Sequence, residues 1–285
     1  MKNYTLTLLL TAAPLFAGTP APVAPAPQYN SEQGWTLGLE AMMLRPFQSG
    51  GLYDKSDYDF GGRASLGYQF ADGMFLKATY FGYGTDVTDY SLATSNSFRQ
   101  DDGRMSLSYL DFVVGQNFKP TETLKLSPFV GLRWATFNEG GNEITTFPRQ
   151  TNDTSGTRVF GEHNNFSGLG IVLGVDATRA LGSGFSIYGN LKESVVFGTS
   201  DTGSVNYFYP IGSTTPSSQS DLSDSTDRVV FISEMGLGVQ YDFAFSNVAA
   251  NVRLGVEGQW WAGLSAAQSQ NTGLAGFVLG ANFRF

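Results

Sequence analysis

The chain has 285 residues, 35 of them glycine, yet only 15% are charged, against about a quarter in an average soluble domain. It has no cysteine, which excludes a disulfide scaffold, a lipidated cysteine, thiolate-bound zinc and a cysteine nucleophile. A net charge of −8 argues against nucleic acid as a partner, because neutralising phosphates takes clustered Lys and Arg.

The first residues have the form of an export signal. Lys2 provides a positive start, residues 4–13 an apolar stretch, and Ala17 and Gly18 small residues for cleavage, so 1–18 is expected to be a signal peptide. Residues 19–28 alternate Pro with Ala and Val, and 19–33 is expected to be a stiff periplasmic linker ahead of a domain spanning 34–285. No later run approaches the eighteen or so apolar residues of a spanning helix. An exported chain without such a helix is soluble beyond the inner membrane or inserted there as a β-barrel.

Ten segments with a two-residue apolar period follow. Residues 34–44 set Trp35, Leu37, Leu39, Ala41 and Met43 against Glu40, and 59–70 set Phe60, Ala64, Leu66 and Tyr68 against Arg63 and Gln69. Asp72-Gly73 signals a tight hairpin into 74–83, where Leu76, Ala78 and Tyr80 oppose Lys77. The next pair is 104–118, with Phe112 and Val114 opposite Asp111, and 124–137, with Leu132 and Trp134 opposite Arg133; Pro120 turns the chain between them. Residues 165–180 carry Leu169, Ile171, Leu173 and Val175 opposite four lumen-side positions that include Asp176. Residues 185–197 follow, containing Lys192, and Glu193 there shares the parity of Leu191 and Phe197, which predicts a bulge. Residues 228–243 oppose Phe231, Met235 and Leu237 to Glu234, and 248–261 oppose Leu254, Val256 and Trp260 to Arg253 and Glu257. The last segment, 273–285, puts Ala275, Phe277, Leu279, Ala281, Phe283 and Phe285 on one face.

The connections alternate between long (45–58, 84–103, 138–164, 198–227, 262–272) and short, the asymmetry of a barrel with tight periplasmic turns and long external loops. Aromatics gather near both ends of the segments: Trp35, Phe70, Phe75, Phe118, Phe185, Phe243 and Phe285 at the turn side, and Phe60, Tyr80, Trp134, Phe197, Phe231 and Trp260 toward the loops. The expectation is an all-β, ten-stranded antiparallel transmembrane barrel in the bacterial outer membrane, with lipid as its surroundings. In such barrels a glycine and aromatics in the closing strand, here Gly280, Phe283 and Phe285, serve as the signal for the barrel assembly machinery.

WTLGLEAMMLRP (35–46), FGGRASLGYQFADGMFLKATYFGYG (60–84), SYLDFVVGQNF (108–118), SPFVGLRWATF (127–137) and VRLGVEGQWW (252–261) resemble the Legionella-type major outer membrane protein family. The resemblance covers nearly all of the chain after the signal and implies a pore-forming barrel. Its motifs are strand and turn patterns, so no site residues come with it.

With the apolar faces toward lipid, the opposite parity lines the lumen with Glu40, Asp111, Asp176, Glu234 and Glu257 against Arg63, Lys77, Arg133, Lys192 and Arg253. Ten strands give a radius of about 11 Å, nearer a filled barrel than an open one. These charges therefore suit either an ion-pair network that packs the interior or the lining of a narrow channel for ions or small solutes. A closed barrel would act as a structural or surface-binding protein through its acidic external loops. Asp101 and Asp102, or Asp221, Asp224 and Asp227, could attract divalent cations, but the ligand spacing of an EF-hand is absent, and no metal or other cofactor is expected. His163, the chain's one histidine, lies beside Glu162 without an Asp-x-His pair, so no enzyme is expected.

Overall fold

The computed structural model describes residues 33–48, 57–94, 97–147, 156–264 and 271–285. The expected signal peptide, and all of the expected linker but Gln33, lie outside the described residues.

Ten strands form one closed antiparallel barrel in which each pairs with its sequence neighbours and the first with the last. They are β1 (Gly34–Gln48), β2 (Asp59–Gln69), β3 (Met74–Thr94), β4 (Ser97–Gln116), β5 (Leu124–Phe147), β6 (Gly156–Gly182), β7 (Phe185–Pro210), β8 (Ser218–Phe245), β9 (Val248–Ala262) and β10 (Thr272–Arg284). Closure runs from Thr36↔Arg284 to Gln48↔Thr272, so no membrane-level edge is left unpaired. Leu66, Phe112, Leu132, Leu169, Ile171, Met235, Leu254 and Leu279 stand on the outer face, each more than half exposed. In lipid this is the stable arrangement, because every backbone group is satisfied within the barrel and the apolar parity meets the acyl chains.

The short turns are built from residues that tolerate the left-handed backbone. At β2–β3, Gly73 has φ 86°, its N–H donates to the Phe70 carbonyl (3.0 Å), and the Asp72 carboxylate accepts from Met74 N (3.0 Å). Ser183, Gly184 and Ser246 take the same region in the β6–β7 and β8–β9 turns.

The long connections differ from the sequence expectation in substance. Most of 84–103, 138–164 and 198–227 is strand: β3 pairs with β4 to Thr94↔Ser97, β5 with β6 to Phe147↔Gly156, and β7 with β8 to Phe208↔Ser218. Side chains there are mostly polar on both faces, with Thr85, Ser97, Thr145 and Ser200 buried among them, so the apolar period-2 signal vanishes while the backbone ladder continues. The other strands stop lower. β2 leaves β3 at Gly61↔Tyr83, and β9 joins β8 only from Phe231↔Ala262. Among the described residues the wall above the bilayer is thus a six-stranded open sheet, β3 to β8, on a closed ten-stranded base.

Two local expectations are corrected. No bulge occurs at Glu193, which is in register with Leu173 and Ser233. It faces outward, where the Ser233 hydroxyl donates to its carboxylate (2.6 Å), so the strand satisfies the group without turning it inward. Phe75 is not part of the girdle: it points into the barrel and packs on Val113, Phe129 and Val172.

Lumen-facing glycines let the coiled strands approach. An ideal Cβ on Gly131 would collide with the Phe112 carbonyl and lie 2.7 Å from Val113 Cα. Backbone cannot swing away as a side chain can. Gly131→Val is expected to cost about 3 kcal/mol, the upper end of overpacking, and to reduce the fraction of barrel that keeps its compact mobility on unheated detergent gels.

Candidate functional site

The barrel interior is the place where charged side chains converge, and they do so at two levels. Near the turns, Lys77 lies 3.3 Å from Asp176, both side chains partly exposed, with the Lys77 ammonium over the Phe129 ring. Higher, four acids and four bases form one buried layer.

Glu234 is its hub. Strand β8 places it opposite Lys192 of β7 and Gln259 of β9, and the closed wall brings it to residues far away in sequence. Arg133 Nη2 lies 2.6 Å from one carboxylate oxygen, a close ion contact without hydrogen-bond geometry. The other oxygen accepts from Tyr109 Oη (2.7 Å), Arg63 Nη2 (3.3 Å) and Lys192 Nζ (3.4 Å). Arg133 donates in a fork to Asp111 (2.7 Å for each arm), its neighbour in the β4–β5 register, and stacks on the Tyr109 ring at 3.8 Å. Arg63 reaches Glu257 (2.6 Å and 2.9 Å) and its β1 neighbour Glu40 (2.7 Å). Arg253 pairs with Glu40 and passes across Gly280, where a Cβ would stand 2.9 Å from its Nε. Arg133 and Glu234 have 0% exposed side chains, so water does not pass between them.

Above this layer the lumen holds apolar side chains. Met42, Leu44, Phe81, Tyr83, Met105, Leu107, Phe137, Phe166, Ile232, Trp261, Leu264 and Leu274 form one buried cluster. Leu264, just past β9, reaches inward, and its carbonyl accepts from Asn164 Nδ2 (3.1 Å). Trp261 Nε1 donates to Gln259 Oε1 (3.2 Å), so its polar atom does not oppose burial. The sequence reading overlooked this layer. Its signature is apolar residues on both parities, as in Met42-Met43-Leu44, Val229-Val230-Phe231-Ile232 and Trp260-Trp261, which marks wall segments buried inside while meeting lipid outside.

The remaining candidates scatter. His163 stands exposed on the outer face of β6 opposite Gly203, and among the described residues no hydrogen bond joins it to a carboxylate. Asp101 accepts from Arg99 Nε (2.8 Å and 2.9 Å) and Asp102 from Gln100 (2.8 Å), each engaged within its own strand. No group of three or more acids, His or Cys suited to a metal occurs among the described residues. Asp221, Asp224 and Asp227 are spread along an exposed part of β8. Phe283 pairs with Leu37, and Phe285 N donates to the Trp35 carbonyl (3.0 Å).

Two concavities open on the outside of the wall. One, of about 770 Å³, lies where Ala41, Gly62, Ala64 and Ala281 thin the lipid-facing surface. The other, of about 610 Å³, lies on the outer face of the extracellular sheet beside Asn138, Asn142 and His163. At its rim Arg104 donates to Asp86 (2.7 Å) and holds that carboxyl below the usual carboxylate range.

A closed barrel with an apolar outer belt, tight turns at one end and tall hairpins at the other is an outer-membrane β-barrel protein. The chain belongs to the family described as Legionella pneumophila major outer membrane protein precursor, which it matches over residues 27–285. Its place is the bacterial outer membrane. No curated protein matches it significantly. Among solved structures it is similar to the outer membrane protease OmpT of Escherichia coli, at 9% identity over 89% of this chain and 93% of that one, with a TM-score of 0.46. A major outer membrane protein of Thermus thermophilus aligns at 13% identity over 90% and 100%, TM-score 0.37. The toluene transporter TodX of P. putida aligns at 9% identity over 90% and 91%, TM-score 0.32.

Proposed function

We propose that this protein is a closed-lumen barrel, a membrane-anchored base that holds an extracellular sheet as its working surface. The observation that carries this reading is the pair of stacked layers across the lumen. Ionic and apolar side chains exposed by 0–9% fill the section from Glu257 to Trp261. Each large apolar side chain in such a cluster gains about 1.5–3 kcal/mol from burial, so rotamer changes of one or two residues would not open a path. In planar lipid bilayers the purified barrel is expected to give no conductance steps at any voltage. Discrete steps from the native protein would sink the reading. Lipids surround this base, and the barrel assembly machinery would recognise it through Gly280, Phe283 and Phe285.

A narrow channel for ions or small solutes is the second reading, favoured by the exposure on the turn side. Asp176, Lys77 and Arg253 side chains are 38%, 28% and 22% exposed, so water reaches the ionic layer from the periplasm. The apolar layer above would then be a gate that conducts only when wetted. In that case Arg133→Ala or Glu257→Ala would change ion selectivity. In a closed barrel they would change only stability.

A further inference from the structure

The upper part of β8 has a free edge. From Ser218 to Val230 it pairs with β7 on one side, while β9 begins to pair on the other only at Phe231↔Ala262. Among the described residues no strand covers that edge, and residues 218–227 are exposed without interruption. Gly263 lies against the Val229 carbonyl and Val230 is buried, so the open stretch is 218–228: at about 3.3 Å per residue, roughly 35 Å of strand whose outward N–H and C=O groups no described strand pairs. Its side chains are acidic at every third position: Asp221, Asp224 and Asp227. Alternation puts Asp221 and Asp227 on one face of the strand, with Asp224 and the 69% exposed Leu222 on the other.

We propose that this edge takes up an extended cationic peptide segment as an added antiparallel strand. Backbone hydrogen bonds supply the pairing, and opposite charges across the strands set the register. A second copy of this chain fits poorly. Antiparallel overlap of 220–228 with itself sets Asp224 against Asp224 and Asp221 against Asp227, and like charges directly opposite are destabilising. The complementary segment reads, from its N-terminus, Lys-x-x-Lys-x-Val-Lys, with bases opposite Asp227, Asp224 and Asp221 and the apolar residue opposite Leu222. The proposal rests on the extracellular sheet being the working surface, and bilayer conductance decides that point independently of peptide binding.

The test uses the full barrel in nanodiscs of zwitterionic lipid and a fluorescent dodecapeptide containing Lys-Thr-Thr-Lys-Thr-Val-Lys, read by anisotropy. A twin peptide N-methylated at alternate residues keeps the charge and loses the donors along one edge. The native barrel is expected to bind the first peptide at least about tenfold more tightly than the twin, and the D221K/D224K/D227K variant to lose about tenfold or more. Hydrogen exchange on the native barrel is expected to slow at amides within 218–228 when the peptide is bound. Equal binding of the twin, protection confined to other segments, or no binding at millimolar peptide would each overturn the proposal. The twin-peptide comparison and the hydrogen exchange use native protein, so misfolding of the triple variant could not imitate a positive result.

Discussion

Glu234→Gln is expected to lower the stability of the barrel by about 3–5 kcal/mol, the loss typical of removing one partner from a buried charge network. The substitution keeps the shape, turns one acceptor oxygen into an NH2 donor that faces other donors, and removes the charge that Arg133, Arg63 and Lys192 share, at 2.6, 3.3 and 3.4 Å. Three cations would then depend on Asp111, Glu40 and Glu257, of which Glu40 and Glu257 already face Arg253 and Arg63. Urea unfolding in detergent, followed by tryptophan fluorescence, measures the change. The internal comparison is Asp176→Asn. Its partner Lys77 is 28% exposed, and water screens the pair, so a loss within about 1 kcal/mol is expected. Equal losses in the two variants would show that the central layer is not a desolvated network.

Trp261→Ala should cost about 3–5 kcal/mol, since it removes the largest fully buried side chain and leaves a cavity that rigid strands cannot close. It should still give no conductance, because Phe81, Phe137 and Phe166 remain across the lumen. The triple variant Phe81→Ala, Phe137→Ala, Trp261→Ala removes that layer at three points of the wall and is expected to produce conductance steps. A single-substitution variant that conducts would mean that the apolar layer is one side chain thick, and the gated-channel reading would gain.

The elements became legible wherever one face of the chain meets lipid and the other does not. Leu169, Ile171 and Leu173 against Gly168, Gly170 and Gly174 mark a membrane strand by period alone, and Asp72-Gly73 marks its kind of turn. The same rule fails in 198–227, where strand continues with mostly polar side chains on both faces. It also fails to reveal the inner apolar layer, because attention to the outer stripe hides residues such as Met42, Phe81 and Trp261 on the opposite parity. At Glu193 the rule misled, reading an outward carboxylate as a bulge when a hydrogen bond from Ser233 was enough to keep the strand regular.

By itself the sequence determined a cysteine-free chain of ten amphipathic membrane-level strands and the tight turns at one end, because strand period and turn chemistry are local properties. Only the tertiary structure decided which lumen charges meet. Glu234 lies 101 residues from Arg133 and 171 from Arg63, and closure of the barrel is what brings them within reach. Closure also decided which ionic and apolar side chains meet across the lumen, and that among the described residues no strand pairs with the outer edge of β8 above Phe231. Both depend on where neighbouring strands stop, which no single strand encodes.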